Sequence, residues 1–222
     1  MNVIICGSRK YQNQNFDKLV DSFDVIVRNN MLLPNNGYGQ RDAHYQVLNC
    51  HVYQNYMKQS SLDTWMSEYQ MEYGISTEHL MAFYEYLKLD RVQFKYSGDG
   101  NNTQMMRTFL KHKNIDHEIQ KPLRCGFSFI VETLYANIKP FLIGFSLQEE
   151  DMLNKQFTNK ESTGKFHDTN SEIQLIKKLH AANLVDATFC TINDSTDLKI
   201  DGSLLMPTRV SLNMLHEVYD AK

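Results

Sequence analysis

His167 is the side chain with the clearest chemical potential, because it stands just before a run of residues with the spacing of an amphipathic helix. An imidazole exchanges a proton near neutral pH. The segment before it, residues 147–164, is polar and has no strong element pattern. A histidine between such a loop and a helix N-terminus is well placed to take a proton beside a bound phosphate. Spacing alone nevertheless favours a surface histidine without a function, so a role for His167 must be argued from other residues.

The residues after His167 predict how the helix begins. Thr169 and Glu172 have the spacing of a capping box, in which the threonine hydroxyl accepts from a first-turn amide and the glutamate reaches back to another. Capping would explain both residues without any function. It does not explain His167, which lies just outside the predicted cap.

Polar residues also stand where the first two predicted strands end. Gly7 and Ser8 follow the first strand, and Asn29 and Asn30 follow the second. Open α/β sheets bind ligands at the carboxyl ends of their strands, where glycine lets the backbone come close and an amide can donate and accept. A glycine after a first strand is common, and asparagines form turns, so each pair alone fits a plain strand exit equally well.

The elements that would carry these residues have an α/β pattern. Short β-branched runs predict strands, and runs with helical spacing predict the helices between them. Strand, helix and strand with short links are typical of a parallel sheet covered by helices. The predicted strands are residues 3–6, 24–28, 44–50, 91–96, 141–145 and 187–192; the predicted helices are 15–23, 62–73, 77–89, 102–113, 127–138, the helix after His167, and 210–219.

Composition narrows the function classes. The chain has 222 residues, of which 42% are hydrophobic, which fits one sizeable domain. A net charge of -3 argues against a broad nucleic-acid footprint. The four cysteines form no CxxC pair, so neither a zinc site nor a disulfide framework is expected. With no signal peptide and no apolar run of ~20 residues, the expected location is the cytoplasm or the periphery of the cytoplasmic membrane.

Four stretches, in order, resemble the sialyltransferases, both the animal type and the short bacterial lipooligosaccharide type. The first strand ending in Gly7-Ser8, together with Asp24 to Asn30, is similar to the large motif of the animal enzymes. Arg124-Cys125-Gly126 through Gly144-Phe145 is similar to the small motif, with Cys125 in place of a hydroxyl residue. Residues 167–173 match the final motif, His-x4-Glu or its bacterial form. The order and rough spacing agree from residue 2 to about 192, and residues 55–120 carry no resemblance.

The resemblance implies a fold and a reaction. The fold would be one Rossmann-like GT-A-type domain over residues 1–222, with a mostly parallel sheet flanked by helices, a helical segment at 55–120 and a lid loop at 146–166. The reaction would be inverting, metal-independent transfer of sialic acid from CMP-sialic acid, a substrate rather than a cofactor, to a glycan or glycolipid hydroxyl. The absence of a DxD pair near a strand end agrees with metal independence.

The resemblance also implies roles for particular residues. His167 would be the general base, and Glu172 belongs to the same catalytic motif. Asn30 takes the place of the donor-binding asparagine in the animal pattern, whereas the bacterial type favours Asn29. The residues expected to contact the donor are Gly7, Ser8, Asn29, Asn30, Asn49, Cys125 and Gly126.

The sequence departs from the family at the leaving phosphate. Bacterial enzymes place tyrosines after the small-motif strand and animal enzymes a histidine, but residues 146–166 contain neither. A transition-state phosphate needs hydrogen-bond donors. The hypothesis is that a lysine or hydroxyl of this loop substitutes when the loop closes over the donor. The candidates are Lys155, Ser162, Thr163 and Lys165.

Three alternatives stay open. A related transferase could use another CMP-activated keto sugar acid, CMP-Kdo. The opening residues 3–11 also resemble small Rossmann-like nucleotide-ligand sensor domains, which bind without catalysis; the chain lacks their Gly-rich second loop, and a sensor would leave His167 unexplained. The third alternative is an inactive scaffold. Peripheral membrane association and the oligomeric state also stay open.

Overall fold

Five parallel strands form the centre of the computed structural model, which describes residues 1–9, 15–96, 99–147 and 167–191. Each strand pairs in parallel with its neighbours, in the order β4-β3-β2-β1-β5. The fold class expected from the sequence, α/β with a parallel sheet flanked by helices, is therefore confirmed. The strands are β1 (Val3–Cys6), β2 (Val25–Asn29), β3 (Tyr45–Leu48), β4 (Gln93–Tyr96) and β5 (Phe141–Ile143).

Helices cover both faces of this sheet. The faces follow from the pleat, because alternate residues of a strand point to opposite sides. Val3 and Ile5 pack into the core under α5, α6 and α7, whereas Ile4 and Cys6 face α1. The helices are α1 (Asp17–Asp21), α2 (Cys50–Met57), α3 (Leu62–Tyr73), α4 (Thr77–Tyr86), α5 (Asp99–His112), α6 (Gly126–Tyr135) and α7 (Thr169–Ala181).

The two helices nearest the predicted site differ in how much of their surface is buried. α6 is apolar nearly all round and is buried on most faces, with Phe129 against Tyr45 of β3 at a ring separation of 5.0 Å. α7 is amphipathic and buries Ile173, Ile176 and Leu179. Both helices lead back from the carboxyl edge of the sheet, so both begin at that edge.

The predicted strand 187–192 is wrong. The chain makes one parallel bridge, between Asp186 and Phe141, and then a short 3-10 helix at Thr188–Thr191. The buried residues are Ala187 and Cys190, three apart, and the Cys190 amide donates to the Ala187 carbonyl at 2.9 Å. Burial at that spacing suits a 3-10 turn rather than the alternation of a strand.

The third predicted strand also extends too far. β3 ends at Leu48, and α2, which the sequence pattern did not predict, begins at Cys50. The predicted helix 210–219 and residues 148–166 of the predicted lid loop lie outside the described residues. Within the described ranges, no helix combines the length and apolar character needed to cross a bilayer. The division of the chain into one domain over 1–222 stays a prediction.

Candidate active site

Gly7 occupies a place at the carboxyl edge where no side chain fits. Its amide donates to the Ile143 carbonyl of β5 at 2.7 Å. A Cβ on Gly7 would lie 2.4 Å from the Gly144 carbonyl oxygen, so the ends of β1 and β5 come this close only because residue 7 is glycine. Ser8 follows directly and is half-buried.

Asn29 joins the ends of β1 and β2. Its side-chain Nδ2 donates to the Cys6 carbonyl at 3.0 Å, and the residue is only 4% exposed. The Oδ1 of the same amide is buried and has no hydrogen-bond partner. A buried acceptor left unpaired costs about 1–3 kcal/mol. A ligand N–H or O–H arriving at this edge would offset that cost after a small shift of the side chain.

Asn30 turns the chain out of the sheet. Its φ of 56° lies in the left-handed region, which asparagine tolerates better than most residues. Its amide donates to the Val47 carbonyl at 2.6 Å, and its carbonyl accepts from Gln46 Nε2 at 2.6 Å. Asn30 therefore has a backbone role, with a side-chain Oδ1 that is also buried and without a partner.

Asn49 ends β3 at the same edge and caps α2. Its Oδ1 accepts from the Val52 amide at 2.9 Å, which satisfies one first-turn donor of the helix. The capping bond occupies the oxygen, so its Nδ2 is the group suited to face a ligand.

Residues 122–126, here the 122–126 segment, connect the strand ends to His167. At one end, a Cβ on Gly126 would lie 3.0 Å from the Phe145 ring and 3.7 Å from Asn29 Nδ2. At the other end, the Pro122 carbonyl pairs with His167 Nδ1 at 2.8 Å. Five residues span at most about 17 Å. The segment thus holds the histidine and the asparagine on one edge of the sheet.

The hydrogen bond to Pro122 defines the chemistry of His167. A carbonyl oxygen only accepts, so Nδ1 must carry the proton that is donated to it. In the neutral ring the lone pair is then on Nε2. His167 is half-exposed. The Pro122 carbonyl therefore fixes both the orientation of the ring and its tautomer.

A buried ion pair fixes the middle of the 122–126 segment to α7. Arg124 Nη1 lies 3.1 Å from Glu172 Oε2, and the Arg124 amide donates to Glu172 Oε1 at 2.7 Å. Arg124 Nη2 also donates to Thr169 Oγ1 at 2.7 Å. Glu172 is buried, and its carboxylate binds Arg124. Its catalytic role stays a prediction.

The predicted capping box is wrong. Asp168, not Thr169, is the N-cap of α7, and its Oδ1 accepts from the Ser171 amide at 3.0 Å. Thr169 and Glu172 are available to Arg124 because Asp168 performs the capping. Sequence inspection found the helix start but missed the roles of Asp168 and Arg124.

The start of α6 has no side-chain cap. Cys125 occupies the N-cap position with helical angles (φ −51°, ψ −29°) and makes no side-chain cap hydrogen bond. A helix N-terminus carries a partial positive charge that favours anions. The predicted donor contacts Cys125 and Gly126 therefore lie where an anionic group would be stabilised.

The other thiol at this edge is inert. Burial raises the pKa of Cys6 to about 12, although nearby Arg28 opposes this effect. Cys6 is therefore a neutral thiol at physiological pH and not a nucleophile.

The roles of the 146–166 loop residues and metal independence both stay predictions. Lys155, Ser162, Thr163 and Lys165 lie outside the described residues. In the described part of the chain, no group of three or more His, Cys, Asp or Glu side chains is arranged to hold a metal ion. Metal independence stays a prediction.

Comparison with known proteins finds matches among solved structures. No protein-family model matches the chain, and no curated protein matches it. Among solved structures, the chain is similar to the sialyltransferase CstII from Campylobacter jejuni, in complex with a substrate analogue, CMP-3FNeuAc. The identity is 12%, the alignment covers 89% of this chain and 88% of that chain, and the TM-score is 0.40. A likeness of this size assigns no activity to the chain and no role to any residue.

Proposed function

We propose that the chain is an inverting glycosyltransferase that moves sialic acid from CMP-sialic acid to a hydroxyl of a glycan or glycolipid. The observation that carries the proposal is the course of the 122–126 segment, which brings His167 and Asn29 to one edge of the sheet. These residues belong to separate motifs of the sialyltransferase resemblance. Their location at the same edge supports the proposal of one functional site.

The nucleotide part of the donor binds at the ends of β1 and β2. Gly7 and Ser8 lie at the end of β1, and the unpaired Oδ1 of Asn29 accepts from an N–H or O–H of the nucleoside. The phosphate lies toward the start of α6 at Cys125 and Gly126, where the helix end favours negative charge.

His167 acts as the general base. Its Nε2 takes the proton of the acceptor hydroxyl as that oxygen attacks the anomeric carbon of the sugar acid. The bond from the anomeric carbon to the CMP phosphate oxygen breaks, and CMP leaves with the electron pair. The configuration inverts because attack and departure are on opposite faces. The Pro122 carbonyl keeps the proton on Nδ1 and stabilises the imidazolium that forms.

The experiment combines CMP binding with transfer. Calorimetry measures CMP affinity, and donor hydrolysis or transfer to a galactose-terminated acceptor measures turnover, with CMP-sialic acid and CMP-Kdo compared. His167→Ala is expected to bind CMP normally and to lose about 10²–10⁴ in kcat. His112→Ala, which removes an exposed histidine in the last turn of α5, is the matched control and should behave like wild type.

Each other outcome has a defined meaning. Undiminished transfer by His167→Ala would show that the base is misassigned. CMP binding without turnover by wild type would favour the sensor or the inactive scaffold. Preference for CMP-Kdo would keep the reaction and change the donor.

A further inference from the structure

Four aromatic rings form a continuous row between α2 and β4. Tyr96 lies 5.3 Å from Tyr53, Tyr53 lies 6.3 Å from Tyr56, and Tyr56 lies 4.9 Å from Phe94, as ring-centroid distances. Phe94 and Tyr96 lie on the same face of β4 because they are two residues apart. The row therefore runs from the interior toward the carboxyl edge.

The outer end of the row lies beside the predicted donor contact Asn49. Tyr96 is the last residue of β4 and pairs in register with Leu48, which directly precedes Asn49. Tyr53 stands near the start of α2, the helix that Asn49 caps. Tyr96 and Tyr53 thus lie at the carboxyl edge on the α2 face of the sheet, whereas α6 and α7 pack on the opposite face.

Tyr96 is the most exposed of the four rings in the row. Its exposed fraction is 51%, whereas Tyr53, Tyr56 and Phe94 are half-buried. Contact with the Tyr53 ring holds Tyr96 from one side, so little side-chain freedom remains to be lost when a ligand binds. An exposed aromatic ring that is already held in place suits recognition of a flat partner.

We propose that Tyr96 and Tyr53 form a subsite for a pyranose ring of the acceptor glycan. This inference rests on the proposed transferase function. A face of a pyranose ring carries C–H groups, and these pack favourably against the negative face of an aromatic ring. The sugar hydroxyls at the rim of the ring stay accessible to other polar groups.

The position separates this subsite from the nucleotide. Neighbouring strands lie about 4.8 Å apart, so β4 is roughly 10 Å from β2 and roughly 14 Å from β1 along the edge. A nucleoside held at Gly7 and Asn29 occupies the other part of the edge. An oligosaccharide acceptor can extend from the transfer point to the edge strand, and its ring there stacks on Tyr96.

The test measures lactose binding by saturation-transfer NMR, with and without CMP. Tyr96→Val removes the ring but keeps a residue that favours strands. It should weaken lactose binding roughly tenfold, whereas Tyr96→Phe should stay within about twofold of wild type. Tyr135→Ala is the matched control, because Tyr135 is 44% exposed but lies at the far end of α6. All three variants should bind CMP like wild type.

The outcomes are distinct from those for the proposed function. Equal lactose binding by Tyr96→Val and wild type overturns the subsite, even if CMP binds and turnover depends on His167. Loss of CMP-sialic acid binding in Tyr96→Val with unchanged lactose binding overturns the assignment to the acceptor. No lactose binding by wild type also overturns it. Absence of CMP binding overturns the proposed function and is measured separately.

Discussion

α6 and α7 both begin at the carboxyl edge of the sheet, but their first turns are organised differently. α7 has a local cap, since Asp168 accepts from the Ser171 amide at 3.0 Å. α6 begins at Cys125, which supplies no side-chain cap. The approach to α6 is instead held by Arg124 and its buried partner Glu172, which is 48 residues further along the chain.

The difference lies in what satisfies the first-turn amides of each helix. A capped first turn has used its most accessible donor internally. In α6 the Phe127 and Ser128 amides donate instead to the Arg124 and Cys125 carbonyls, at 2.9 and 3.1 Å, and the helix end keeps its partial positive charge. The start of α6 also lies next to Asn29, whose buried Oδ1 has no partner. We therefore propose the start of α6 for the donor phosphate, and His167, just before α7, for the base.

The largest expected loss of stability comes from removing the ion pair between Arg124 and Glu172. Glu172→Ala leaves Arg124, 20% exposed, and its amide without their buried carboxylate. Breaking a buried pair on one side costs about 3–5 kcal/mol, and the partial exposure of Arg124 puts the expected loss at the lower end. Urea unfolding measures it.

The matched control for this change is Glu85→Ala. Its ion pair with Lys88 is exposed, with 68% and 55% exposed side chains, and should contribute less than about 0.5 kcal/mol. Similar losses for the two variants would contradict a structural role for the Arg124–Glu172 pair.

The next largest effect is expected at the glycines of the edge. Gly7→Ala places a Cβ 2.4 Å from a backbone oxygen, which cannot move alone, so a loss of about 1–3 kcal/mol is expected. Gly126→Ala meets the Phe145 ring at 3.0 Å, and a side chain can shift, so the loss should be smaller. Gly100→Ala in α5 meets nothing within 4 Å and should be neutral or stabilising by up to about 1 kcal/mol. Thermal unfolding of the three variants should give this order, and a neutral Gly7→Ala would contradict it.

The cap of α7 should contribute less. Asp168→Ala is expected to lower the free energy of unfolding by about 1 kcal/mol, because one first-turn donor loses its acceptor. Asp168→Asn keeps an acceptor and should lose little. If the Asn variant were as unstable as the Ala variant, the side-chain cap would not be the source of the effect.

The same two helix starts show what sequence could and could not predict. The apolar run at 127–138 predicted α6 because such a run must be buried, and the strand ends located Gly7 and Asn29. The start of α7 contained two overlapping caps, Asp168 with Ser171 and Thr169 with Glu172. Local spacing could not choose between them, since the choice depends on Arg124, which binds both Thr169 and Glu172.

Long-range partners explain most of what sequence missed in the site. The carbonyl that orients His167 belongs to Pro122, 45 residues earlier, and no local pattern marks a backbone acceptor. The strand predicted at 187–192 failed for a related reason. Its β-branched residues suggested alternation, but the core takes Ala187 and Cys190, which a 3-10 turn presents.

The smallest effect on stability, and the most direct test of the difference between α6 and α7, is expected at Cys125. Cys125→Asp puts a negative charge at the start of α6, where the phosphate is proposed to bind. CMP affinity should fall about two- to fivefold, and the loss should shrink in high salt because the charges are screened. Cys125→Ser, which is neutral and similar in size, should bind CMP like the parent protein. Calorimetry at low and high salt checks both variants. If Cys125→Asp bound CMP as tightly as Cys125→Ser, the phosphate would not lie at the start of α6.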